Sequence, residues 1–123
     1  MGNFSLTNQQ ELVTQFQQID FAEQVLAQLQ KEFQKIGLEL QLTENQLETY
    51  DKFLFYLKEE ISILAEASPT RLHQLLYLAD LPENHVNNIF KLADNPIDEL
   101  SDLLLKRVAC KVYFRQLYKS KRI

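Results

Sequence analysis

The chain has 123 residues, 46% hydrophobic and 24% charged, the balance of a globular domain, and at that length about two-thirds of the unfolded surface can be buried in one core. Two glycines and three prolines are too few for a turn-rich β-sandwich or barrel, the single cysteine, Cys110, excludes an internal disulfide framework, and no apolar run approaches the ~18 residues of a membrane span. The net charge of −4 is unevenly spread: Lys106 to Ile123 hold seven Lys and Arg and no acid, whereas residues 1–105 hold six bases against seventeen acids.

Met1-Gly2-Asn3-Phe4-Ser5-Leu6 lacks the basic and apolar regions of a signal peptide, and Leu6 stands where a myristoylation signal wants Ser or Thr. The expectation is a cytoplasmic protein. Thr7-Asn8-Gln9-Gln10 has the form of a capping box. Beyond it Leu12, Phe16, Ile19, Ala22, Leu26, Leu29, Phe33 and Ile36 recur every three or four residues, with a seven-residue seam through Leu12, Ile19, Leu26 and Phe33. The spacing predicts one long helix over residues 8–36, bent near Asp20 and ended by Gly37 as a C-terminal cap. A second reading places a new cap at Asp20-Phe21-Ala22-Glu23, which would account for Phe21 lying opposite the seam. Between Gln9 and Gln34 the polar face carries nine glutamines, a surface of low charge that suits docking as well as plain solvation.

Leu38-Glu39-Leu40-Gln41-Leu42 alternates like a strand, but a lone strand has nothing to pair with, so a connector tucking its leucines onto the core is expected. Thr43-Glu44-Asn45-Gln46 repeats the capping box and opens a helix through Leu47, Tyr50, Leu54, Leu57, Ile61 and Leu64. Ser68-Pro69 stops that helix and caps a short one carrying Leu72, Leu75, Leu76 and Ala79. Asp80-Leu81-Pro82 turns into a fourth, with Val86, Ile89, Phe90 and Ala93. Asn95-Pro96 opens the last, from Pro96 to Lys119.

That last helix begins with Asp98, Glu99 and Asp102 and ends with Lys119, Lys121 and Arg122, the polarity that complements a helix dipole. Arg107, Lys111, Arg115 and Lys119 lie four residues apart, and such like-charge pairs cost about 0.2–0.5 kcal/mol each. Dipole compensation of about 0.3–1 kcal/mol offsets much of this, so no ligand is required to explain the stripe. At about 100° per residue, Arg107, Lys111 and Arg115 span a band about 80° wide. Leu105, Val108, Ala109 and Val112 flank it on one side; Leu103, Cys110, Tyr113, Phe114 and Leu117 flank it on the other. A helix so apolar is buried on more than one side. It is either central in the domain or half-covered by a second copy.

Leu75-Leu76-Tyr77-Leu78-Ala79-Asp80-Leu81, followed by Val86 and Ile89, resembles the spacing of helix-turn-helix repressors, over about residues 71–93. Leu76 stands where that family packs a small Ala, and Asp80 stands at the turn Gly, a conformation Asp tolerates better than most residues. The resemblance implies a recognition helix offering Asn84, His85, Asn87 and Asn88 to base edges and Lys91 to phosphate. The acidic remainder of the chain opposes a polyanion.

Catalysis has little to build on. His73 and His85 form no Glu-x-x-His or His-x-x-x-His pair, Cys110 lies on an apolar flank, and the adjacent pairs Glu59-Glu60 and Asp98-Glu99 diverge around their helices. With Gly2 and Gly37 alone there is no phosphate-cradling loop. No catalytic residue, metal or cofactor is expected. Phe53, Phe55, Tyr56 and Ile63 on the second helix, with Tyr113, Phe114 and Leu117 on the last, give each a second apolar flank that one small core does not readily absorb.

The chain is therefore expected to be a single all-α domain over residues 1–123, a bundle of three long helices plus a short helical hairpin, about five helices in all, frayed at 1–6 and 120–123. Its expected role is non-catalytic: a protein-interaction module that forms a homodimer through the second and last helices, or binds another protein, away from membranes. The alternative is nucleic-acid or polyanion binding through Arg107, Lys111, Arg115, Lys119, Lys121 and Arg122.

Overall fold

A computed structural model describes residues 9–120, and within them the chain is all-helical. Six helices follow one another: α1 (Gln9–Phe16), α2 (Ile19–Gln34), α3 (Tyr50–Ala67), α4 (Pro69–Leu78), α5 (Glu83–Leu92) and α6 (Pro96–Ser120), with a single 3₁₀ turn (Glu44–Leu47) before α3. No helix is long and apolar enough to cross a membrane among the described residues. The capping box at Thr7, Lys121 and Arg122 lie outside those residues.

The expected long first helix is two helices. Gln17 and Gln18 donate their N–H groups to Thr14 and Gln15 at 3.2 and 3.0 Å, a tightened last turn, and Gln18 is extended. Packing explains the break. In a continuous helix Phe16 and Phe21 would point about 140° apart, yet both are buried. Phe16 meets the rings of Phe21, Tyr50 and Phe53 edge-on, with centroids 5.3, 5.2 and 5.4 Å apart. The seven-residue seam follows the core face only in part: Ile19 is 39% exposed and Leu26 half-buried, while its member Phe33 is buried together with Phe21, Ala22, Val25 and Leu29, which lie off the seam. The reading with a new start near Asp20 was the closer one.

Gly37 ends this segment with φ +79°. Leu38 N–H donates to Phe33 O and Gly37 N–H to Gln34 O, both at 3.0 Å, so the helix closes in a Schellman arrangement that satisfies two otherwise orphaned carbonyls. The connector behaves as expected. Leu40 is buried, Leu38 and Leu42 pack half-buried against the core, and Gln30 Nε2 holds Leu40 O at 3.0 Å.

The second capping box opens the 3₁₀ turn instead of the long helix. Thr43 N–H donates to Gln46 Oε1 at 2.8 Å, but α3 starts six residues later, where Thr49 Oγ1 accepts from Lys52 N–H at 3.1 Å. The interruption lets Leu47 and Phe53, about 120° apart on a continuous helix, reach the core together. Ser68 Oγ accepts from Arg71 N–H at 3.2 Å and Pro69 occupies the first turn of α4, as its missing N–H permits. α6 packs against α2, α3 and α5 and buries Leu100, Leu104, Leu105, Val108, Ala109 and Val112. Over this stretch the helix is central within one chain, so its apolar girth needs no second copy.

Candidate interaction surfaces

The basic stripe is divided in its roles. Lys111, 26% exposed, reaches Glu32 Oε2 at 3.5 Å and Asp80 Oδ2 at 3.3 Å. Glu32 is 1% exposed on the core face of α2 and also receives Gln28 Nε2 at 3.0 Å and Lys35 Nζ at 3.2 Å. A buried carboxylate is tolerated only when paired and hydrogen-bonded. Lys111 is therefore a structural cation, spent on neutralising α2 and the α4–α5 turn. Arg115 donates to Gln28 Oε1 at 2.7 Å. Arg107 and Lys119 stay exposed.

A second polar cluster joins α3 to α6. Tyr50 OH donates to Asp102 Oδ1, whose other oxygen is 2.9 Å from Lys106 Nζ, and Lys58 lies 3.8 Å from Asp98. Burial, and after it the hydrogen bond to Asp102, pushes the Tyr50 phenol above its usual range. The phenol donates across the two helices and anchors α3 to α6. Among the described residues no group of three or more His, Cys, Asp or Glu is placed to hold a metal ion. Cys110 is half-buried against the core.

α4 and α5 form the short helical hairpin expected before the last helix. Leu75, Ala79, Leu81, Val86 and Ile89 are all buried, and so is Leu76. Asp80, at the position of the turn glycine, has φ +66°. Leu81 N–H donates to Leu76 O at 3.1 Å and Asp80 N–H to Tyr77 O at 3.0 Å, the same closure that Gly37 gives α2. Asn84, His85, Asn87, Asn88 and Lys91 are exposed. Between the two helices opens a cleft of about 300 Å³, floored by Leu76, Leu81 and Val86 and rimmed by His73, Tyr77 and Asn87. Tyr77 is 74% exposed, and His73 stacks on Phe90 at 5.0 Å and 20°.

Of the aromatic candidates on α3, Phe53 is a correction: it is fully buried against Phe16 and cannot line an interface. Phe55 is 55% and Ile63 63% exposed, and Tyr56, half-buried, meets Phe55 edge-on at 5.0 Å. On α6, Tyr113 packs half-buried against the core and meets the exposed Phe114 at 5.7 Å, while Leu117 is half-buried.

Two features escaped the sequence reading. Glu32 falls on the apolar stripe of α2, three residues after Leu29 and one before Phe33; an acid on a core stripe is the signal that could have marked it as half of a buried pair. The cleft left no such trace, because its floor is made of residues that any short amphipathic hairpin contains. No family model matches the chain, and no curated protein or solved structure matches it either.

Proposed function

We propose that this chain is a small, non-catalytic, cytoplasmic protein-interaction module that self-associates. The observation that carries the reading is a tightly packed core bearing large apolar side chains on its outside, Phe55 and Ile63 on α3 and Tyr77 and Leu92 on the hairpin. Scattered exposed apolar residues are ordinary, but an apolar-floored cleft flanked by an exposed tyrosine is the form of a docking site for an anchor side chain. A single cysteine in 123 residues fits a reducing compartment. Sedimentation velocity at tens of micromolar tests the reading directly: a dimer is expected, and a single monomeric boundary over that range removes self-association.

A second reading, binding of nucleic acid or another polyanion, has one observation in its favour. The contact between Lys111 and Asp80 docks the basic helix onto the turn of the helix-turn-helix-like hairpin, which puts Arg107 and the polar face of α5 on neighbouring elements. Against it, Lys111 is already held by two carboxylates. Retention on duplex DNA at low salt, lost in Arg107→Gln/Lys119→Gln, is what this reading requires. Lys111 is left intact in that variant because its removal would unbalance Glu32.

A further inference from the structure

We infer that the self-association surface is α5: two copies pair antiparallel along this helix, about a two-fold axis passing beside Asn87. The inference rests on the self-association reading and names the surface that reading leaves open. At about 100° per residue, Glu83, Asn87 and Lys91 advance by about 40° each and share one face of α5. All three are exposed. Neither Glu83 nor Lys91 forms an ion pair among the described residues. The face thus presents an acid one turn before a central amide and a base one turn after it, with about 12 Å of helix between the two charges.

Such a face is complementary to its own antiparallel copy. A two-fold axis at Asn87 sets Glu83 against the partner's Lys91 and Lys91 against the partner's Glu83, so both charges are answered at once. Asn87 meets the partner's Asn87 at the axis, where each amide supplies both a donor and an acceptor. An amide in such a place fixes the register of paired helices.

The outer face of α3 is the rival, and its charges decide against it. Phe55 there stands four residues after Asp51 and four before Glu59, and Glu66 lies on the same side; all three acids are exposed, and the one base nearby on that side, Lys52, is already paired with Glu48 at 2.8 Å. Two copies of that face would oppose like charges, which costs free energy instead of supplying it.

The test uses the full chain and its oligomeric state, read by sedimentation equilibrium from 1 to 200 µM. Glu83→Lys and Lys91→Glu are each expected to raise the dimer Kd by about tenfold, because two symmetry-related pairs become repulsive together. The double variant restores both pairs with reversed sense, and its Kd is expected to return to within about threefold of the wild-type value. In a Cys110→Ala background, Asn87→Cys is expected to form an intermolecular disulfide on mild oxidation, since a residue on the axis meets its own copy. Glu83, Asn87 and Lys91 are exposed and Cys110 is half-buried, so helical content and denaturation midpoints, read against the Cys110→Ala background for the cross-linking variant, are the folding control. A wild-type monomer overturns both the inference and the self-association reading. A dimer indifferent to the charge reversals, with no Asn87→Cys cross-link, overturns the inference alone and leaves self-association through another face. Duplex DNA bound by a monomer and lost in Lys91→Glu assigns α5 to nucleic acid and overturns the inference as well.

Discussion

Gly37 and Asp80 end two helices with the same backbone device and different chemistry. Both sit at positive φ, +79° and +66°, and each is followed by a residue whose N–H reaches five residues back, Leu38 to Phe33 O and Leu81 to Leu76 O. At Gly37 nothing lies within 4 Å of where a Cβ would stand, so glycine serves the dihedral angle alone. At Asp80 the side chain has a job: its carboxylate meets Lys111, which also holds Glu32. A left-handed non-glycine residue costs about 1–2 kcal/mol, part of which that ion pair offsets. One helix end is solved locally, and the other is tied to α2 and α6 by a shared cation.

The largest expected effect comes from removing that cation. Lys111→Ala leaves the buried Glu32 with Lys35 and Gln28 alone, and a loss of about 3 kcal/mol in unfolding free energy is expected by urea denaturation. A loss under about 1 kcal/mol would mean that Glu32 is neutralised without Lys111, and the distinction between the two helix ends would collapse. Gly37→Ala forces a Cβ into the left-handed region with no gain in contacts, and about 1 kcal/mol of destabilisation is expected at the denaturation midpoint. Asp80→Gly acts in both directions. It relieves backbone strain and removes one partner of Lys111, so the net change is expected to stay within about 0.5 kcal/mol of zero. A double-mutant cycle between Asp80→Asn and Lys111→Met sharpens the point, with a coupling of about 0.5–1 kcal/mol as the value of the ion pair itself. Zero coupling would reduce Asp80 to a strained turn residue with no tertiary role.

Alkaline titration probes a different tie, the one between α3 and α6. The Tyr50 phenol is held above its ordinary value, so above about pH 10 the unfolded chain binds fewer protons than the folded one and stability falls as pH rises. Tyr50→Phe is expected to be less stable at neutral pH yet to show a shallower loss above about pH 10, measurable by thermal melts across that range. An unchanged alkaline slope would place the transition on other tyrosines.

Much of the fold was legible because its signals are local. Ser68-Pro69 and Asn95-Pro96 mark helix starts by capping chemistry and by the missing proline N–H, and the three- and four-residue steps of Leu57, Ile61 and Leu64 mark a buried helical stripe. The breaks near Gln17 and before Tyr50 were harder to read, because either sequence continues a helical period well enough. What interrupts them is the demand of a shared aromatic cluster around Phe16, a demand visible only when α1, α2 and α3 are together. The same limit holds for the candidate surfaces. Phe53 and Phe55 differ by two residues and carry the same ring, yet one lies in the core and the other in water, a choice set by the start of α3 rather than by composition.

By itself the amino-acid sequence determined the all-helical class, most helix ends, the left-handed cap at Gly37, the turn position of Asp80 and the uneven charge of the last helix. These follow from dihedral preference, capping and periodicity, which act within a few residues. Only the tertiary structure decided that α6 runs through the centre of one chain, that the half-buried Lys111 is the counter-ion of a buried carboxylate and not part of an open basic stripe, and that α4 and α5 leave a cleft between them. Those facts depend on which distant side chains share a dry interior, where a carboxylate such as Glu32 must find its cation, and separation along the chain carries no record of that meeting.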